Sequence, residues 1–360
     1  MRGVKSNSFL SLRLVFALLE VVSHSADTSG HYFNFSFGSI GIGSLAVFGF
    51  FSLSGYLVTP GLIRDGVFRY FIRRTVRIFP AYWVSSLVTL LVFGRTWGKW
   101  AHQQIGFPVC LNYLLHNILF FPASAKSPYA GWNLLQGLPE AVPNEHVVNA
   151  SIWSLPLEFL CYAILAMLFM IKIKSKNMPF EKILYIVLAI FWISSIVLAT
   201  RISHFWLVHP SIITNVGAKW PYLLAFIFGA VCALRNDHFA SDFYKFKIPG
   251  LLVISYFAAQ TTVGWAIIGS VTFTLAVIMI GYSNLLRLNF MKTDISFGIY
   301  LYHWPIQQTL VHFFPLKSDR VLFIALSILI SSAFAYASAK MIEEPTINWG
   351  KKFSENFKSF

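Results

Sequence analysis

The chain has 360 residues, of which 56% are hydrophobic and 12% charged, with a mean hydropathy of +0.64. An ordinary soluble domain carries about 25% charged residues; a soluble globule of this composition could not cover its apolar surface, whereas runs of ~20 apolar residues are what a bilayer accepts. The formal net charge of +14 points to basic cytoplasmic loops and anionic lipid head groups, not to nucleic acid, for which no binding motif is present.

Apolar windows predict ten helical spans, at about 9–25, 43–62, 78–94, 152–171, 181–200, 220–234, 248–261, 265–286, 294–314 and 321–341. The first follows Arg2 and Lys5, as a leader peptide would, but Arg13 and Glu20 interrupt its apolar run, and it is expected to be retained. In SLRLVFALLEVVSH, residues 11–24, each helical residue turns by about 100° and rises ~1.5 Å. Arg13, Glu20 and His24 therefore fall within about 40° of one another, with Arg13 and His24 roughly 16 Å apart along the axis. Ionisable groups inside a span face a cavity or each other. One reading is a polar network that specifies helix packing. The other is a membrane cavity in which neutral His24 takes a proton from an alcohol. Glu20 is placed to orient His24 or to pair with Arg13.

The second span contains FFSLSGYLVT, residues 50–59, where Ser54 and Gly55 leave room for a neighbouring backbone or a thin ligand. FRYFIRRTVRIFPAYW, residues 68–83, follows, with Arg69, Arg73, Arg74 and Arg77 just after Arg64. Such a cluster anchors a protein to the cytoplasmic leaflet. Arg74 and Arg77 also lie one helical turn apart, and guanidinium groups bind phosphate bidentately, so the same cluster suits the phosphates of coenzyme A, with Arg73 as a helper. The segment 107–121 is apolar but short, and reads as re-entrant or interfacial. The fourth span opens with Trp153 and Ser154, a possible helix cap, and places Glu158 one turn later. Glu158 suits either a bundle-holding hydrogen bond or the positioning of an acceptor and His24. The ninth span holds Tyr300, His303 and Trp304, and Glu343-Glu344-Pro345 closes the tenth. Cys110, Cys161 and Cys232 are too scattered for a disulfide framework or a zinc site.

Lysine and arginine test the topology. With the N-terminus in the cytoplasm, 20 of the 28 basic residues fall in cytoplasmic segments and seven outside, with Arg13 inside the first span. The expectation is an all-α integral membrane protein of about ten transmembrane helices in a single bundle, both termini cytoplasmic. It comprises a membrane domain over 1–350 and a short basic tail over 351–360. The longest outside segment, 95–151, carries Trp97, Trp100 and Trp132.

Taken in order, these stretches resemble the acyltransferase-3 family of membrane-bound acyltransferases. Arg13 and His24 resemble its first-helix motif, and FFSLSGYLVT its FF-x-x-SG-[FY] element. RTVRIFPAYW, residues 74–83, resembles R-x-x-R-[IL]-x-P, and SIWSLPLEFLCY, residues 151–162, resembles W-S-L-x-x-E. ISFGIYLYHWPI, residues 295–306, resembles S-[YF]-x-x-Y-L-x-H-x-P, and MIEEP, residues 341–345, the closing E-x-P. The ordered set spans residues 13–345. Two positions depart from the pattern. Leu14 follows Arg13 where the family often has glycine, and Glu20 replaces an apolar residue.

The resemblance implies transfer of an acyl group, usually acetyl, from cytoplasmic acyl-CoA to a hydroxyl of a surface polysaccharide or lipid-linked glycan of the O-antigen or exopolysaccharide type. It implies an O-acetyltransferase of the bacterial cytoplasmic (inner) membrane. The expected catalytic residues are His24, Arg13 and Glu158. Arg73, Arg74, Arg77, Ser54 and Gly55 are expected to bind the donor, and Trp153, Tyr300 and His303 the acceptor. Acetyl-CoA is the expected donor substrate, and no metal is expected. No fused SGNH-type domain is visible, so the acyl group goes to the glycan directly or through a separate glycan-assembly or periplasmic transferase. The competing expectation is a multi-pass transporter of a small organic anion using the same basic vestibule, although no inverted repeat is visible.

Overall fold

The structure, a computed structural model, describes residues 8–29, 35–93, 114–115, 149–175, 178–200, 210–235, 247–286, 293–313 and 319–356. The expected interfacial segment 107–121 and most of 95–151 lie outside the described residues. The helices are α1 (Phe9–Ser29), α2 (Ile42–Val88), α3 (Ser154–Lys174), α4 (Phe180–Ala199), α5 (Pro210–Leu234), α6 (Ile248–Ala258), α7 (Thr262–Tyr282), α8 (Ser296–Phe313), α9 (Arg320–Ser338) and α10 (Glu344–Glu355). Between α1 and α2, β1 (Ser36–Phe37) and β2 (Ile40–Gly41) pair antiparallel, and Ser39 bonds the Ala259 carbonyl at the end of α6 through both its amide and its hydroxyl.

The protein is an all-α, multi-pass membrane protein. Six helical segments among the described residues are long and apolar enough to cross a bilayer: α1, Ile42–Leu91, Ala150–Lys174, α4, α7 and Arg320–Glu355. The ten expected windows map onto these unevenly. Windows 43–62 and 78–94 lie on one helical path, since α2 runs for 47 residues and its one interruption is Gly66, at φ 76° and ψ 171°. That φ suits glycine and few others. The arginine stretch expected between two spans is thus itself helical, because no further breaker follows Gly66 until Pro80. Windows 220–234 and 248–261 give shorter apolar helices.

Window 294–314 corresponds to α8, and it fails on composition for a physical reason. Fifteen of its 18 residues are buried, so this helix meets protein rather than lipid on nearly every face. It can therefore carry His303, Gln307 and Gln308, each fully buried, without exposing a polar group to hydrocarbon. At the other extreme, α4 buries only Phe180, Ile183, Leu184 and Ser195 of its 20 residues; its remaining apolar surface is left for lipid.

The α2–α5 crossing is set by two glycines. A Cβ on Gly55 would stand 1.9 Å from the Phe226 carbonyl oxygen, and one on Gly229 would stand 2.2 Å from that of Ser52. Small residues let helix backbones approach this closely in a membrane, where packing rather than hydrophobicity drives association. This crossing, with α1 against α8, fixes the walls of the site.

Candidate functional site

One cleft gathers residues from α1, α2, α3 and α8. It holds about 780 Å³ of space between atoms, counting its open mouth, and is lined by Arg13, Ser54, Arg74, Arg77, Ser154, Glu158, Tyr162, Ser296 and Tyr300 among apolar neighbours. Six of the eleven sequence-predicted site residues meet there: Arg13, Ser54, Arg74, Arg77, Glu158 and Tyr300.

The basic end is organised by Asp294, a residue the sequence reading passed over. Its Oδ2 lies 2.6 Å from Arg13 Nη1 and 2.7 Å from Arg77 Nη2. Its Oδ1 accepts from the Ser296 amide at 3.1 Å and the Ser296 hydroxyl at 2.6 Å. One carboxylate thus caps the start of α8 and clasps two arginines that lie 64 residues apart in the chain. The signal was present as Asp-x-Ser just before a helix. Arg13 and Arg77 both ion-pair with Asp294, and Arg74 has no ion-pair partner among the described residues. Buried Glu343 is also near enough to Arg77 and Arg13 to act on their charge.

The remaining arginine of the expected set turns elsewhere. Arg73 pairs with Asp65, which also takes Arg64 at 2.9 Å. It does not line the cleft and instead ties the helix to the residue preceding the Gly66 break. Of the closing glutamates, Glu344 is engaged with Lys340 at 2.7 Å, whereas buried Glu343 is the one near Arg77 and Arg13.

In mid-cleft, Glu158 Oε1 accepts hydrogen bonds from Ser54 Oγ at 2.8 Å and from Tyr162 Oη, whose hydroxyl is also 2.9 Å from Ser54 Oγ. Glu158 therefore stands in a three-membered polar ring across α2 and α3, not beside His24. Tyr162, one turn after Glu158, was missed, although its spacing of four residues was readable. Ser154 Oγ and Tyr300 Oη are 2.6 Å apart at the far end. Trp153 is in the turn preceding α3, packed edge-on against Tyr222 with centroids 5.4 Å apart, and does not line the cleft. Gly55 faces α5 rather than the cleft.

One turn beyond Tyr300 lies the second cluster. His24 Nδ1 is 2.8 Å from His303 Nε2, with the ring planes 7° apart. His303 Nδ1 is 3.0 Å from the Ile299 carbonyl oxygen. A carbonyl only accepts, so Nδ1 of His303 carries the proton, and its Nε2 is the acceptor. His24 then donates from Nδ1, which leaves the lone pair on His24 Nε2. Trp304 packs edge-on against His24 at 5.0 Å. Asn149 supports the arrangement: its side chain donates to the Leu301 carbonyl and accepts from the Ser151 amide, setting Ser151 Oγ 3.2 Å from His303 Nε2. Glu20 Oε2 is 3.6 Å from His24 Nδ1, so it neither bonds His24 closely nor pairs with Arg13. Glu20, His24 and His303 each offer a ligand atom within 4.8 Å of the others, a grouping able to hold a metal ion. Cys161 and Cys232 are buried and unbridged.

Residues 8–340 match the family model described as "Acyltransferase domain". The chain is 29% identical over 323 residues to a protein of Shigella phage Sf6 named "O-acetyl transferase", covering 86% of each chain. It is 26% identical over 284 residues to "Nodulation protein 10" of Rhizobium leguminosarum bv. viciae, covering 73% of this chain and 71% of the relative. No solved structure matches the chain at a significant level.

Proposed function

Because this multi-pass protein of the bacterial inner membrane belongs to the membrane acyltransferase family, we propose that it moves an acetyl group from cytoplasmic acetyl-CoA to a hydroxyl of a surface polysaccharide or lipid-linked glycan. The observation that carries this reading is the juxtaposition of the two clusters. A cleft lined by three arginines runs between α2, α3 and α8 to Tyr300, one turn before His303, whose Nε2 accepts the His24 Nδ1–H and so leaves a lone pair on His24 Nε2.

In this reading the polyphosphate of the donor binds Arg74 and Arg77 at the cytoplasmic end, and both termini are cytoplasmic, with about ten passes in all. Arg13 belongs to this donor end. It is held beside Arg77 by Asp294 and lies roughly 16 Å along the helix from His24. The pantetheine arm runs past Ser54, Glu158 and Tyr162, which offer hydroxyl and carboxylate partners to its amides, and brings the thioester toward Tyr300. The acceptor hydroxyl reaches His24 from the other side. His24 Nε2 takes the hydroxyl proton as the oxygen attacks the thioester carbonyl. The C–S bond then breaks, the imidazolium returns the proton to the CoA thiolate, and ester and CoA-SH leave. His303 accepts the Nδ1–H throughout and keeps the ring in the tautomer this sequence needs.

The test is ester-linked acetyl on the host's surface glycans in cells carrying no copy, the intact gene, or His24→Ala at matched membrane abundance. Esters with the intact gene alone are expected. Esters persisting with His24→Ala would remove the histidine from the mechanism, and none in any strain would favour transport of an organic anion, to be followed by uptake assays.

A further inference from the structure

Glu20 is a buried titratable group that this chemistry leaves unused. The residue is 1% exposed, and its Oε1 has no hydrogen-bond partner among the described residues. Its Oε2 is 3.6 Å from His24 Nδ1, beyond hydrogen-bond length. The cation on the same stripe of α1, Arg13, is turned to Asp294. Asp27 is close enough to Glu20 to add negative potential there. Across from the carboxylate, α2 presents Gly43, where a Cβ would be 3.5 Å from Oε2 and 2.6 Å from Ser23 Oγ, so the flank holds the Ser23 hydroxyl and no side chain of α2 at that position. A buried carboxylate oxygen without a donor is uncommon in native proteins, and a bound water or ion is one physical explanation.

The neighbours indicate which species. Two imidazole nitrogens and a carboxylate oxygen fall within 4.8 Å of one another. His303 has its Nδ1–H on a backbone carbonyl, the outer-shell bond that typically orients a metal-ligating histidine. We propose that Glu20, His24 and His303 form a site for one divalent transition-metal ion of the zinc class, and that filling it shuts off acyl transfer. Two nitrogens and one oxygen, with a fourth position open, suit zinc; calcium and magnesium take oxygen ligands. With bonds of about 2.0–2.1 Å, tetrahedral ligands stand about 3.3 Å apart. The His24–His303 separation of 2.8 Å has to widen by about half an ångström, and the His24–Glu20 separation of 3.6 Å has to shrink slightly.

The ion takes the lone pairs of His303 Nε2 and His24 Nδ1 and a carboxylate oxygen of Glu20. The proton formerly on His24 Nδ1 goes to solvent, and one from solvent occupies Nε2, so the ring stays neutral but loses the lone pair that faces the acceptor. The inhibition rests on the acyltransferase reading; the binding does not.

The test uses the full chain in lipid nanodiscs, titrated with Co²⁺ without acyl donor and followed by visible absorption. One Co²⁺ per chain is expected, with tetrahedral-type bands, displaced by Zn²⁺. Glu20→Gln and His303→Gln should each weaken binding by more than about 100-fold, beyond the loss typical of an outer-shell partner. No saturable Co²⁺ uptake by the unmodified chain, or unchanged uptake in both variants, overturns the site. Should a variant fail to fold, X-ray absorption on the unmodified chain decides, with two imidazoles expected in the shell and an all-oxygen shell contradicting the proposal. In a preparation active for ester formation, Zn²⁺ should lower the rate at least tenfold; an unchanged or raised rate overturns the inhibition. A preparation that forms no ester without metal counts against the functional reading, and the cobalt titration still decides the site.

Discussion

At the basic end of the cleft, two guanidinium groups share one carboxylate and a third has no ion-pair partner among the described residues. One turn past Tyr300, outside the cleft lining, two histidines are joined by a hydrogen bond that leaves a single lone pair on His24 Nε2. A membrane protein keeps charge in its interior only where charge is used or balanced. The first end spends it on attraction, and such attraction binds ground state and transition state alike. The second end supplies a group that gains strength only as a proton moves, which is the kind of interaction that raises turnover. Mutations at the two ends should therefore divide between KM and kcat.

The largest effect is expected at the histidine end. His24→Ala should lower kcat by about 10²–10⁴-fold, the span typical of a lost general base, with KM for acetyl-CoA unchanged. Steady-state kinetics in nanodiscs checks this. At the basic end, Arg74→Ala should raise KM for acetyl-CoA by about 10–150-fold, matching about 1.5–3 kcal/mol for a bond to a charged group, while kcat stays near its original value. The KM of the unmodified chain should also rise with salt, and this variant should flatten that dependence. A fall in kcat alone would place Arg74 with the chemistry.

A smaller effect tests the link between the rings. His303→Leu leaves the His24 Nδ1–H without an acceptor, which should lower kcat by about 5–100-fold. His303→Gln should recover part of that loss, because an amide oxygen accepts the same bond; equal losses would mean that His303 only fills space. The smallest effect on kinetics is expected at Gly55. Gly55→Ala pushes a methyl group against the Phe226 carbonyl and should reduce the yield and thermal stability of the folded protein, with KM of the folded fraction unchanged. A raised KM with normal stability would return Gly55 to the donor path.

The contrast between the two ends was half legible in the sequence. The stripe of Arg13, Glu20 and His24 follows from helix periodicity, and Arg74 and Arg77 announce themselves by charge and spacing. Periodicity names a face, however, and not what lies across from it. Asp294 lies 217 residues from Arg77, and His303 lies 279 residues from His24, so neither pairing could be read from local pattern. The axial rise along one helix already separated Arg13 from His24 by roughly 16 Å; what the pattern did not show is the Asp294 that holds Arg13 beside Arg77. The grouping of Glu20, His24 and His303 was out of reach for the same reason, since it is drawn from two helices. α8 was read as an apolar span, but that nearly every face of it is buried, letting it hold His303, Gln307 and Gln308, was not readable, and Gly55 read as ligand space because only the structure shows the α5 backbone that fills it.

The most direct measurement is CoA binding to His24→Ala and to the Arg74→Ala/Arg77→Ala double variant, beside the unmodified chain, by calorimetry in nanodiscs. His24→Ala is expected to bind CoA as tightly as the unmodified chain while transferring acetyl about 10²–10⁴-fold more slowly, and the double variant to lose CoA binding. Equal CoA binding by all three, or loss of binding in His24→Ala with the double variant intact, would contradict the division of the site into a donor-holding end and a reacting end.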